Sequence, residues 1–304
     1  MAEATLVILN PNAGSGRAER LWAKIEPLAY QTWGNLVVAI TEKPQDVAAH
    51  LDKARAAGLT RVIAVGGDGT VHTIVNAMVE LMQHDPKGPP MLFGQLPAGT
   101  GQDFARTLNV PGKLEDAVQW LANVQPRPLD LGAVVYDKNK CHFLNIASVG
   151  ISGEVDSQVN RIKNRRPWTY KLAAIRAMLS YTPPVMTVNV DGEMWYQGRS
   201  WMVVIANGIY FGKGMAIAPQ ASVNDGLFEV VLVKEASRMR VLQAFNSVYS
   251  GKHLALEEVQ HTRAQQVEVI SNGPILPLDL DGEHETGREF RFEIKPGALQ
   301  MLYE

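Results

Sequence analysis

Gly66-Gly67-Asp68-Gly69-Thr70 puts three glycines, a carboxylate and a hydroxyl into five residues. The mainly apolar run 61–65 before it reads as a buried strand. Val71, Ile74, Val75 and Met78 follow at helical spacing. The chain therefore turns from strand to helix at the glycines. Glycine lets backbone approach a ligand with no side chain between them. A helix N-terminus presents N–H groups that favour an anion. The loop suits a phosphate. It equally suits a tight turn in which Asp68 only caps the helix.

Two more segments carry closely spaced glycines: Asn10-Pro11-Asn12-Ala13-Gly14-Ser15-Gly16-Arg17, and Leu96-Pro97-Ala98-Gly99-Thr100-Gly101-Gln102 running on to Arg106. The first has Gly-x-Gly, but Glu19 stands where the dinucleotide fingerprint needs its third glycine. It is no P-loop either, because no Gly-Lys-Ser/Thr follows. Its backbone N–H groups and Ser15 could still hold a phosphate. Thr41 ends a further strand. In an open α/β sheet, ligands bind beyond the carboxyl ends of the strands. Three glycine loops and Thr41 at that edge favour nucleotide or phosphate binding over turns alone.

A third feature is acidic. Asp279, Asp281, Glu283 and Glu285 alternate along the chain. In an extended segment they share one face, where like charges repel unless a cation or a function offsets them. The alternative is an edge strand entering an Asp-Gly hairpin. Asn224-Asp225-Gly226-Leu227 is a second Asp-Gly turn and Asp191-Gly192-Glu193 a third.

These residues need a frame. Thr5–Leu9, Leu36–Ile40, 61–65 and 91–96 read as strands. Stretches 17–30, 45–57, 70–82, and those starting at Gln102 and Lys113, read as helices. Strict alternation argues for a parallel sheet with helices on its faces. Beyond Pro126-Arg127-Pro128 the apolar runs shorten. Segments 131–136, 142–147, 186–190, 201–206, 227–233, 267–270 and 291–294 read as strands, interrupted by helices near 168–181 and 237–249. The expected fold class is an α/β N-terminal nucleotide-binding domain, 1–130, plus a mainly antiparallel β-sandwich C-terminal domain, 131–295.

Composition narrows the classes. The chain has 304 residues, 46% hydrophobic and 20% charged, with a formal net charge of -2. No global field draws it to nucleic acid. One cysteine, Cys141, excludes an internal disulfide and reads as a small buried hydrophobe. His50, His84, His253 and His261 show no metal spacing, so zinc is not expected. The N-terminal residues lack a signal-peptide pattern, and no apolar run is long enough to span a bilayer. A cytoplasmic protein is expected.

The segments 10–16, 66–70 and 96–106 together resemble the nucleotide-site motifs of the diacylglycerol kinase catalytic family, which includes bacterial lipid kinases and sphingosine kinases, with NAD kinases more distant. The resemblance continues through Asp130-Leu131-Gly132, Phe143-Leu144-Asn145, Asn224-Asp225-Gly226-Leu227 and Leu280-Asp281-Gly282-Glu283, covering essentially the whole chain in order. It implies an ATP site lined by Asn10, Gly14, Ser15, Gly16, Thr41, Gly66, Gly67, Asp68, Gly69, Thr70, Val71, His72 and Thr100. It implies a C-terminal tail, 296–304, packed back on the first domain, and an active site between the domains. It implies Mg²⁺ held by the Asp225 carboxylate with backbone carbonyls of Ser222 and Leu227. The C-terminal acids match the catalytic carboxylate, with Asp281 the first choice as base and Glu283 the second. Two positions depart from the family pattern. Thr73 stands where the family has Glu, and Gln102 where it has Asn.

The resemblance leaves the phosphate acceptor open: diacylglycerol, phosphatidylglycerol or a sphingoid base. Residues 157–190 contain no acid but carry Arg161, Lys163, Arg165, Arg166, Lys171 and Arg176, with Trp168 and Tyr170 among them. Basic residues attract anionic lipid and Trp prefers the headgroup level. Docking on a membrane through this segment is expected, the alternative being a solvated basic helix. A homodimer stays open. So do two rival functions, phosphorylation of a soluble metabolite as in NAD kinases, and nucleotide or lipid binding without turnover, for which Thr73 speaks.

Overall fold

The structure, a computed structural model, describes residues 4–160 and 169–304. It divides into two compact units, Met1–Leu129 with Pro296–Glu304, and Asp130–Lys295.

In unit 1, β1 (Thr5–Leu9), β2 (Leu36–Ile40), β3 (Arg61–Gly66) and β4 (Leu92–Pro97) alternate with α1 (Ala13–Trp33), α2 (Asp46–Ala56) and α3 (Asp68–His84). Two shorter helices follow, α4 (Asp103–Thr107) and α5 (Leu114–Asn123). The strands are parallel in the order β4-β3-β1-β2. β1 and β3 read as unbroken apolar runs because both of their faces are covered: Val7, Ile8, Ile63 and Ala64 have no exposed surface. The helices pack in pairs. Trp33 Nε1 of α1 donates to Val118 O of α5 at 3.0 Å, and Arg55 Nη1 of α2 donates to Leu81 O of α3 at 3.2 Å. Gln300 and Met301, near the end of the chain's last strand, pair in parallel with Leu92 and Phe93 of β4. Tyr303 Oη then donates to Pro128 O at 2.7 Å.

Unit 2 is mainly antiparallel. Its elements are β5 (Pro126–Tyr136), β6 (Asn139–Phe143), β7 (Ile146–Gly150), α6 (Ile151–Asn160), α7 (Thr169–Ser180), β8 (Val185–Val190), β9 (Glu193–Ala206), β10 (Tyr210–Phe211), β11 (Met215–Ala216), β12 (Phe228–Lys234), α8 (Arg238–Ala244), β13 (Val259–Ala264), β14 (Gln266–Ile270), β15 (Leu276–Leu280), β16 (Glu283–Gly287) and β17 (Glu289–Leu302). Two 3₁₀ turns, Phe245–Ser250 and Lys252–Ala255, follow α8. β9 shows why the unit has two cores. Side chains alternate across a strand, so Val203 and Ile205 join an inner core with Phe143, Phe228 and Phe290. Met202, Val204 and Ala206 face an outer core with Ile151, Ala174, Met178 and Ile217.

The structure departs from the sequence reading at several points, including the following three. Segment 142–147 is two strands, broken at Leu144-Asn145, because a carboxylate draws those two amides out of the ladder. The stretch 237–249 is α8 followed by a 3₁₀ turn. The acids 279–285 do not share one extended face. Asp281 and Gly282, with φ of 53° and 94°, reverse the chain between β15 and β16, the positive φ pair of a tight hairpin.

Candidate active site

The parallel order of unit 1 places β2 and β3 on opposite sides of β1. The connection from β1 runs one way and β3 lies the other way, so a crevice opens between the carboxyl ends of β1 and β3. The loops that follow these two strands are 10–16 and 66–70. They are tied across the crevice by Asn10 Nδ2, which donates to Thr70 Oγ1 at 3.0 Å. Thr41, buried, donates through both its N–H and its hydroxyl to Leu9 O, which fixes the end of β2 against β1.

Glycine is required here for loop-to-loop packing. A Cβ on Gly99 would lie 2.4 Å from Gly67 Cα, and one on Gly66 would lie 2.4 Å from Thr70 Oγ1. Loop 96–102 therefore sits on the 66–70 loop backbone to backbone, held by Ala98 and Gly99 N–H donating to Gly66 O. Gly14, Ser15 and Gly16 form a left-handed run at the start of α1, and Ser15 is exposed there with φ 59°. A left-handed serine is strained, and strain of this kind concentrates at ligand sites.

Asp68 is more than a cap for its own helix. Its carboxylate accepts from the N–H groups of Asp103 and Phe104, each at 3.4 Å, and so anchors the start of α4. Gln102, flagged as a departure, donates to Pro97 O at 2.7 Å and Gly99 O at 3.0 Å and holds the loop's curve. Thr73 turns its hydroxyl back to Gly69 O at 2.9 Å. Thr100 is exposed and His72 half-buried. Val71 does not join the other candidates through its side chain: it lies in the core, and its N–H is spent on Gly67 O.

Within unit 2 the C-terminal acids separate by role. Asp281 Oδ1 accepts from Asn145 and Ile146 N–H at 3.0 Å, and Oδ2 from Leu144 N–H at 2.9 Å. Charged acceptors make the stronger hydrogen bonds, so Asp281 clamps the break between β6 and β7. That occupation argues against the first choice of base. Glu283, one residue past the turn, is exposed. Asp279 is buried and accepts from Gly282 N–H at 2.7 Å.

At the other Asp-Gly turn, Asp225 Oδ1 accepts from Leu227 N–H at 3.1 Å, and Oδ2 pairs with the Arg263 guanidinium. Ser222 Oγ donates to Asn224 Oδ1 at 3.0 Å. A cation at this turn would have to compete with Arg263, so the donor set does not fit Mg²⁺. Sequence reasoning missed Arg263. The signal was Glu229, the one acid inside the mainly apolar strand Phe228–Lys234, which needs a cationic partner.

Unit 2 also holds an apolar cavity, open at its mouth, between the outer face of the sheet and the helices. Ile151, Val155, Met178, Trp201, Phe245 and Val248 are among its walls. Most of its polar lining is committed elsewhere, Ser152 to Ser148, Glu258 to Arg240, and His253 Nε2 to Ile217 O at 2.9 Å, while His253 Nδ1 is buried with no hydrogen-bond partner. Burial holds the His253 imidazole below its usual pKa. No sequence motif announced this cavity, because its walls come from residues 151 to 259 with no common spacing.

Residues 4–134 match the diacylglycerol kinase catalytic domain, and residues 145–303 match the YegS C-terminal NAD kinase beta sandwich-like domain. The chain belongs to the YegS-like and diacylglycerol kinase family of lipid kinases. A YegS-like probable lipid kinase of Xanthomonas euvesicatoria is 31% identical over 268 residues, covering 88% of this chain and 86% of the relative. A diacylglycerol kinase of Bacillus subtilis is 27% identical over 288 residues, covering 91% and 89%. A crystal structure from Bacillus anthracis superposes with a TM-score of 0.77 at 25% identity over 99% of this chain and 97% of the other. A second, of a diacylglycerol kinase, shares the fold with a TM-score of 0.73 at 21% identity. This family is one of kinases, and the chain is accordingly an enzyme of that class.

Proposed function

We propose that this enzyme transfers the γ-phosphate of ATP to the hydroxyl of a lipid whose acyl chain enters the cavity of unit 2. The cavity carries the reading. Its walls are almost wholly apolar, so it offers a chain of methylenes what water cannot. A soluble metabolite such as a dinucleotide would gain nothing there.

In unit 1 the crevice between β1 and β3 takes the nucleotide. The first turn of α3 lacks intrahelical partners for its leading N–H groups, and Asn10, Ser15, Thr70 and Thr100 add side-chain or backbone donors around it, while Thr41 supports the sheet edge from the end of β2. Mg²⁺ enters this reading with the nucleotide, where it offsets phosphate charge. In unit 2, Glu283 accepts the proton of the acceptor hydroxyl. Asp281 positions it by fixing the turn from which it projects. An exposed carboxylate can reach a substrate hydroxyl, whereas protonating one that holds three amides would remove the charge that strengthens all three bonds.

The acceptor is drawn from a membrane surface and the protein is cytoplasmic. Arg161, Lys163, Arg165 and Arg166, with Trp168, lie outside the described residues, as does the side chain of Lys171. Among the described residues no helix is long and apolar enough to cross a membrane.

The test is phosphate transfer from terminally labelled ATP to vesicles containing diacylglycerol, phosphatidylglycerol or sphingosine, with NAD as a soluble acceptor. Label in a lipid product is expected. Label in NAD, or none despite nucleotide binding, would overturn the reading.

A further inference from the structure

The Asp225 turn leads directly into β12, where Glu229 lies opposite Arg263 of β13 in the antiparallel register. Directly opposed residues are the closest cross-strand neighbours. The register thus delivers the guanidinium to two carboxylates at once. Arg263 Nε is 2.8 Å from Glu229 Oε1, and Nη2 pairs with Asp225 Oδ2. Glu229 has a side chain only 4% exposed, while Arg263 is 47% exposed.

We infer that Arg263 takes the place of a divalent cation at the Asp225 turn, so that the turn keeps its shape without Mg²⁺. Guanidinium is planar and permanently charged, and its fork can serve two acceptors together. Buried Glu229 fixes it there. Moving Arg263 aside to admit a metal at Asp225 would leave Glu229 buried beside no cation, and an uncompensated buried charge is costly. The remaining Asp225 oxygen is held by Leu227 N–H, which closes the turn from within. One arginine therefore does for this turn what a cation and its waters would do, and it couples the turn to the β12–β13 ladder.

The experiment is thermal unfolding of the nucleotide-free protein with and without millimolar MgCl₂, ionic strength matched with NaCl. The wild-type midpoint should move by less than about 1 °C. Arg263→Gln should unfold about 4 °C lower, the shift of roughly one to two lost ionic contacts. Millimolar Mg²⁺ should recover part of that loss, and the added substitution Asp225→Asn should abolish the recovery. If Arg263→Gln does not fold, Arg263→Lys, which keeps one charge but cannot fork, should show the same partial Mg²⁺ response. A saturable Mg²⁺-dependent rise in the wild-type midpoint, absent from Asp225→Asn, would overturn the inference. So would an Arg263→Gln midpoint equal to that of the wild type. Neither result bears on whether the enzyme phosphorylates a lipid, which the labelled transfer decides separately.

Discussion

The two units build their candidate sites in opposite ways. Unit 1 uses backbone: glycine loops pressed against one another at the carboxyl ends of β1, β3 and β4, with Gly99 on Gly67 and Asp68 bridging to α4. Unit 2 uses side chains: one carboxylate clamping three amides, one exposed acid, and a cavity walled by residues far apart in the chain. Backbone sites demand particular residues at particular positions, so they leave motifs. Side-chain cavities demand only apolar volume, which many sequences satisfy.

The largest effect should separate the two acids of unit 2. Glu283→Gln should lower kcat by about 10²–10⁴-fold, the usual worth of a general base, with an unchanged melting midpoint because the residue is exposed. Equal activity in this variant would return the base role to Asp281. Asp281→Asn should instead cost about 3 kcal/mol of stability, since an amide offers one acceptor oxygen for three N–H groups that now bond to a charge. Chemical denaturation measures it; a loss of activity at full stability would contradict the clamp.

Unit 1 should answer to backbone changes. Gly99→Ala places a methyl 2.4 Å from Gly67 Cα, an overpacking that costs about 1–3 kcal/mol. The KM for ATP should rise while the KM for the lipid stays put. A silent substitution would break the loop-packing account.

The smallest effect is a pH dependence confined to unit 2. Burial lowers the His253 pKa from 6.5. The folded protein therefore favours the neutral ring, and its contribution to stability is whole above pH 6.5 and lost as pH falls toward the depressed value. Tyrosines are of no help in that range, because burial pushes Tyr181 and Tyr136 upward. The facing groups are the Ile217 carbonyl and the His261 charge. The midpoint should drop between neutral and mildly acidic pH, and His253→Gln should flatten the drop. An identical profile in the variant would remove His253 from the account.

The fold of unit 1 was readable because parallel strands covered on both faces are apolar runs bounded by glycine. Unit 2 was readable only where a strand was central. β13, with the sequence Val-Gln-His-Thr-Arg-Ala, carries polar residues and gave no strand pattern, and the hairpin β15–β16 was legible only as the alternative to one extended acidic face. The turn residues Asp191-Gly192 and Asp281-Gly282 were recognisable as hairpins, and both have positive φ. Their different tasks were not. Asp191 Oδ1 takes the amides of Gln265 and Gln266, Asp281 takes those of Leu144 to Ile146, and Asp225 takes a guanidinium. Each partner lies at least 38 residues away in sequence. The dipeptide specifies the turn; only the fold specifies what the carboxylate meets.

The central claim is that the apolar cavity seats the acceptor's chain. Ala174, nearly fully buried on α7 and part of the cavity wall, gives the direct test. Ala174→Leu fills part of the space. Steady-state phosphorylation of a lipid alcohol should show its KM raised by about 10-fold, the value of one or two excluded methylenes, with the KM for ATP and the melting midpoint held. An unchanged lipid KM in the folded variant would contradict the claim.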